Sequence, residues 1–90
     1  MLYTCPCCGY KTLSEEPPGT YELCKICYWE DDQVQFDNPD YEGGANKVCL
    51  RIAQRNFIEF GACEKEAIRY VQKVTPNIEK DLNWKPLSAD

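Results

Sequence analysis

Ten bases against fifteen acids over 90 residues, with no histidine, give a small acidic chain of formal charge −5. That balance disfavours general phosphate binding, which needs a basic face, and the length gives a modest core of the kind usually reinforced by a metal or by disulfides. An odd cysteine count, seven, speaks against a disulfide framework, and no run approaches the roughly 18 apolar residues of a membrane span.

Met1-Leu2-Tyr3-Thr4 leads straight into Cys5 with no basic start and no apolar stretch, so no signal peptide is expected and the compartment reads as reducing and cytoplasmic. The first segment with chemistry is Cys5-Pro6-Cys7-Cys8-Gly9, answered by Cys24-Lys25-Ile26-Cys27. With Cys5 and Cys8 as one pair, the spacing is C-x2-C, fifteen residues, C-x2-C, a four-cysteine zinc pattern. Two residues between ligands let the chain curl so that both sulfurs face one cavity, and two such turns give a tetrahedral, closed thiolate shell. Cys5, Cys8, Cys24 and Cys27 are therefore the expected ligands of one structural Zn²⁺; iron of the rubredoxin type takes the same ligands. Gly9 is expected at positive φ in the first turn. Cys7 is an extra thiol: a spare, exposed sulfur pointing away from the metal, or else a replacement for Cys5 or Cys8, or an oxidation site.

Around these turns, Leu2-Tyr3-Thr4, Tyr10–Leu13, Tyr21–Leu23 and Gln33–Phe36 are rich in β-formers and predict short strands. Residues 1–36 thus form a zinc ribbon, residues 37–46 an acidic, glycine-containing loop, residues 47–74 a helical part and residues 75–90 a tail, all within one domain. Leu50, Ala53, Phe57 and Phe60 recur at helical spacing and predict a helix over Asn46–Phe60 that stops at Gly61. A second helix is predicted from Cys63 to Lys73, with Ala67, Tyr70, Val71 and Val74 inward and Pro76 ending it. In the tail only Trp84 is a strong anchor. The fold class is α+β: a small antiparallel ribbon followed by two short helices.

Charge divides the chain. Residues 1–46 hold two bases against nine acids, −7, and residues 47–90 eight against six, +2. Glu30-Asp31-Asp32, with Asp37, Asp40 and Glu42 nearby, form an acidic cluster flanked by Trp29 and Tyr41, aromatic anchors of the sort interfaces use. Trp29, Glu30, Asp31, Asp32, Asp37, Asp40 and Tyr41 are the expected docking surface for a basic protein. The alternative is a zinc ribbon of nucleic-acid machinery that uses Lys47, Arg51 and Arg55, spaced by four on the predicted helix. Cys49 and Cys63 read as ordinary helix-associated thiols, with Cys63 the better nucleophile candidate. A closed four-thiolate site has no open position for water, and with no histidine and only two serines the chain is read as non-enzymatic.

The same residues resemble the bacterial cysteine-rich CPCC family. The resemblance runs through Cys5–Tyr10, Thr12-Leu13, Tyr21-Glu22, Cys24, Cys27, Trp29–Asp32, Gln35, Asn38–Asp40, Gly43–Asn46, Asn56-Phe57 and Phe60–Ala62. Lys25 stands where proline is common in that pattern, and Cys49 with Ile52 stands where serine and an acid would cap the first helix. The resemblance implies a stand-alone bacterial protein, some of whose relatives are encoded beside toxins. The concrete form of the protein-binding reading is then an immunity-type inhibitor covering a basic nuclease-like toxin.

Overall fold

The computed structural model describes residues 1–87. Two short strands, β1 (Tyr3–Thr4) and β2 (Lys11–Leu13), pair antiparallel with Tyr3 opposite Leu13 and Thr4 opposite Lys11, the register slipping between them. The hairpin they form encloses the first cysteine turn. The second turn is closed by an isolated antiparallel bridge between Leu23 and Glu30. Tyr21–Leu23 is therefore not a strand, because Tyr21 takes a positive φ of 59° that interrupts extended backbone.

Gln33–Phe36 corrects the sequence expectation more sharply. It is the helix α1 (Gln33–Asp37), started by Asp32, whose extended backbone and side-chain acceptance of the Gln35 N–H at 3.0 Å make it an N-cap. Asn38-Pro39 follows, and the residue before a proline resists helical geometry.

The main helix, α2, spans Leu50–Phe60 and begins four residues later than predicted. Its N-cap is Cys49, which makes no side-chain capping bond, as expected where a serine is replaced by a thiol. Leu50 and Ala53 are buried and Phe57 and Phe60 pack against the core; a fully buried leucine is worth about 1.5–3 kcal/mol. Gly61 ends the helix at φ 84°, its N–H reaching the Phe57 carbonyl at 2.9 Å. The predicted second helix is shorter and tighter, a 3₁₀ helix over Lys65–Tyr70. Of its expected inner face, Ala67 is buried and Val71 packs against the core, while Tyr70 and Val74 are exposed.

The chain after Ile78 returns to the first turn. Lys80 bridges Tyr10, the Lys11 N–H donates to the Glu79 carbonyl at 2.8 Å and the Asp81 N–H to the Gly9 carbonyl at 2.9 Å. The result is α+β, a two-stranded antiparallel sheet and cysteine turns followed by short helices. No helix among the described residues is long and apolar enough to cross a membrane.

Candidate metal centre

Both cysteine turns are built alike. In the first, the Gly9 N–H donates to the Cys5 carbonyl and the Cys5 N–H to the Tyr10 carbonyl, each at 2.9 Å. In the second, the Tyr28 N–H donates to the Cys24 carbonyl at 2.8 Å and the Cys24 N–H to the Trp29 carbonyl at 2.9 Å. The residue after each second cysteine is left-handed: Gly9 at φ 79° and Tyr28 at φ 71°. Gly9 is also required by space, since a Cβ there would lie 2.5 Å from Cε3 of Trp84.

These turns bring the sulfurs of Cys5, Cys8, Cys24 and Cys27 within 4.8 Å of one another. Cys5 and Cys27 are 3.6 Å apart, Cys8 and Cys24 3.7 Å. Sulfurs about 2.3 Å from a tetrahedral ion stand about 3.8 Å apart, so the four fit a single metal ion. All four are fully buried. The Thr12 hydroxyl lies 3.0 Å from the Cys24 sulfur and donates to it when that sulfur is a thiolate. Hydrogen bonds from Cys27, Cys5 and Cys8, with Thr12, hold Cys24 far below the usual thiol range. Burial pushes Cys5 and Cys27 up, and the neighbouring Cys24 pushes Cys8 up. A dry cluster of this kind accumulates negative charge only against a cation, which inverts the local preference.

Cys7 is not the spare exposed thiol. It is completely buried and occupies in the first turn the place that Ile26, 1% exposed, occupies in the second. It lies outside the group of four sulfurs and fills space as a small apolar side chain. Cys49 and Cys63 are buried as well. Burial, with the nearby Cys7 and Glu64, pushes the Cys63 thiol up to about 12, which disfavours the thiolate form a nucleophile needs.

The expected docking surface is divided. Trp29 and Asp31 are each 1% exposed, and Asp32 is 6%, so none of them is available to a partner. Trp29 lies in the core cluster with the cysteines. Oδ2 of Asp31 accepts from the backbone and hydroxyl of Thr20 at 2.9 and 2.8 Å. Asp32 caps α1 and accepts the Ala45 N–H at 2.9 Å; burial opposes its charge, but these N–H groups outweigh it and lower its pKa. Glu30 is half-buried, and its backbone N–H and carbonyl are both engaged by Asn46. Asp40 is ion-paired with Arg51 at 2.7 Å. Asp37 and Tyr41 are exposed.

The basic stripe does not assemble either. Lys47 precedes α2 rather than lying on it; it is paired with Glu66 at 2.8 Å, and Arg51 is held by Asp40. Only Arg55 keeps the expected place on an exposed helix face.

Sequence reasoning gave no role to Thr12, Gln35 or Asn46, although all three belong to the motif resemblance. Gln35 is fully buried. Its amide donates to the carbonyls of Tyr41, Asn46 and Val48 at 3.1–3.2 Å, and its Oε1 accepts from the backbone and side chain of Asn46.

A family model described as Cysteine-rich CPCC matches residues 3–78. No curated protein matches the chain.

Proposed function

The chain belongs to the cysteine-rich CPCC family, and on that premise we propose that it is a non-enzymatic, zinc-stapled binding module. The observation that carries this reading is the closed shell: four mutually adjacent sulfurs, each fully buried. Such a shell fills the coordination of a tetrahedral ion and leaves no position for water or substrate, so the ion stabilises and does not react. Zinc is favoured because all-thiolate tetrahedral sites suit it and because its binding supplies folding energy to a small chain. The odd cysteine count, seven, supports a reducing, cytoplasmic compartment.

Function then falls to the surface. Residues 1–46 carry −7, and with Trp29, Asp31 and Asp32 withdrawn inside, the acidic face open to a partner centres on Asp37, Tyr41 and Glu42, all exposed. That face suits a basic protein, in its most concrete form a nuclease-like toxin held by an immunity-type inhibitor. Two measurements test the reading. Metal analysis with X-ray absorption is expected to give one zinc per chain in a four-sulfur shell; a shell containing oxygen would return the site to catalysis. Co-expression with a toxic neighbouring gene product is expected to rescue growth, and the rescue is expected to vanish with Asp37→Lys and Glu42→Lys together. Absence of both rescue and complex removes the inhibitor role.

A further inference from the structure

The face formed by the end of α2 and the segment after the 3₁₀ helix differs in chemistry from the rest of this acidic molecule. A cavity of about 310 Å³ opens there, lined by Ile26, Phe57, Phe60, Ile68, Val71 and Val74. Ile68 and Val74 are 47% and 43% exposed, a large share for aliphatic side chains that share one groove. The rim is basic. Lys73 lines the groove itself. Lys25 directly precedes Ile26 of the floor, and its carbonyl accepts the Gln72 N–H at 2.9 Å.

Both bases are exposed. Among the described residues neither of them enters an ion pair, whereas Lys47 and Arg51 are each held by an acid. Glu64, Glu66 and Arg69 line the adjacent cleft, with Glu66 held by Lys47, and none of the three lines the groove.

We propose that this groove is a docking site for an acidic peptide segment of a partner protein, anchored by two or more aliphatic or aromatic side chains. The apolar floor favours burial of such anchors, and the unpaired bases select negative charge beside them and reject positive charge. A single-stranded nucleic acid fits less well, because such binding uses aromatic platforms along a basic track and this floor is mainly aliphatic. The site is distinct from the acidic face and takes a partner of opposite charge, so it stands whether or not a basic toxin is bound elsewhere.

The test is a nuclear magnetic resonance titration of the isotopically labelled, zinc-loaded chain at low salt. The probes are three 12-residue peptides with leucines at helical spacing, differing only in whether the intervening residues are glutamate, glutamine or lysine, together with a 12-nucleotide oligothymidylate. The glutamate peptide is expected to shift the resonances of Ile26, Ile68, Val71 and Val74 and to bind about tenfold more tightly than the lysine peptide. The double substitution Lys25→Glu, Lys73→Glu is expected to abolish or reverse that preference with the fold unchanged. The proposal is overturned if the shifts fall elsewhere, if the peptides do not bind or bind equally, or if the oligonucleotide occupies these residues more tightly than the glutamate peptide.

Discussion

Gly9 and Tyr28 hold the same place in the two metal turns and differ in what they contribute there. Both are left-handed, which is free for glycine and costs a tyrosine about 1–2 kcal/mol. Tyr28 recovers part of that by stacking on Tyr70, ring centroids 5.3 Å apart, an arrangement worth about 0.5–1.5 kcal/mol. Tyr28→Ala loses the stack and keeps the backbone penalty, whereas Tyr28→Gly loses the stack and sheds the penalty. Glycine at this position is therefore expected to be more stable than alanine by about 0.5–1 kcal/mol, measured from urea midpoints of the metal-loaded proteins. The opposite order would mean that the turn is not held left-handed. Cys7 and Ile26 make the second matched pair, both buried, with a thiol serving on one side where a hydrocarbon serves on the other. Cys7→Ala is expected to keep one equivalent of metal and to lose only about 1 kcal/mol of stability. Loss of the metal in that variant, with Cys5→Ala or Cys8→Ala retaining it, would make Cys7 a ligand.

At the scale of elements, α1 shows where sequence stops being informative. Gln33-Val34-Gln35-Phe36 alternates polar and β-forming apolar residues and reads as a strand, yet Asp32 and Gln35 make it a helix. Asp32 three residues before Gln35 is a local helix-start signal that the strand reading passed over, while the bonds that bury Gln35 run to the backbone of Tyr41, Asn46 and Val48, six to thirteen residues on. The same cause hides the burial of Trp29, Asp31 and Asp32, because an acidic run beside an aromatic looks wet until distant backbone groups are known to receive it. The four-cysteine cluster and the pairing of β1 with β2 are legible because each depends on short spacing: two residues between sulfurs and one turn between strands. The main helix is legible in its body, where the apolar stripe sets its face. Its start is not, because Cys49 gives no capping signal. Gln35 also carries a prediction. Gln35→Leu conserves much of the bulk but leaves three backbone carbonyls without that donor, and each buried group so abandoned costs about 1–3 kcal/mol. A loss of about 2–4 kcal/mol is expected, with amide exchange accelerated over residues 41–46. A loss below about 0.5 kcal/mol, within the range of ordinary surface substitutions, would show that the loop is held by other means.

At the scale of the whole molecule, each metal turn is tied to the helical half by its own backbone. The Pro6 carbonyl accepts from Nε2 of Gln54 on α2 and from Nε1 of Trp84 in the tail, at 2.9 and 3.0 Å. The Cys27 carbonyl accepts the Cys63 N–H at 2.7 Å. An ion held by the four sulfurs would thus hold together the surroundings of α2 and the returning tail as well as the ribbon. A structural zinc contributes about 10–16 kcal/mol of apparent binding energy near neutral pH, against a typical net stability of about 5–15 kcal/mol for a whole domain. A strong chelator is therefore expected to abolish the α2 helical circular dichroism and the near-ultraviolet signal of the tryptophans in one transition, rather than the ribbon's signal alone. Acid is expected to act through the same centre. Metal-bound thiolates are in effect acids of depressed pKa, so the stability they confer is present above the free-thiol pKa of about 8.5 and is lost as pH falls through the lower bound-state value. A competing chelator should consequently move the acid unfolding midpoint to higher pH, whereas unfolding driven only by carboxylate protonation would leave it in place. A helical signal that survives complete metal removal, or an acid midpoint indifferent to chelator, would mean that the core around Trp29 and Leu50 holds the chain without the ion.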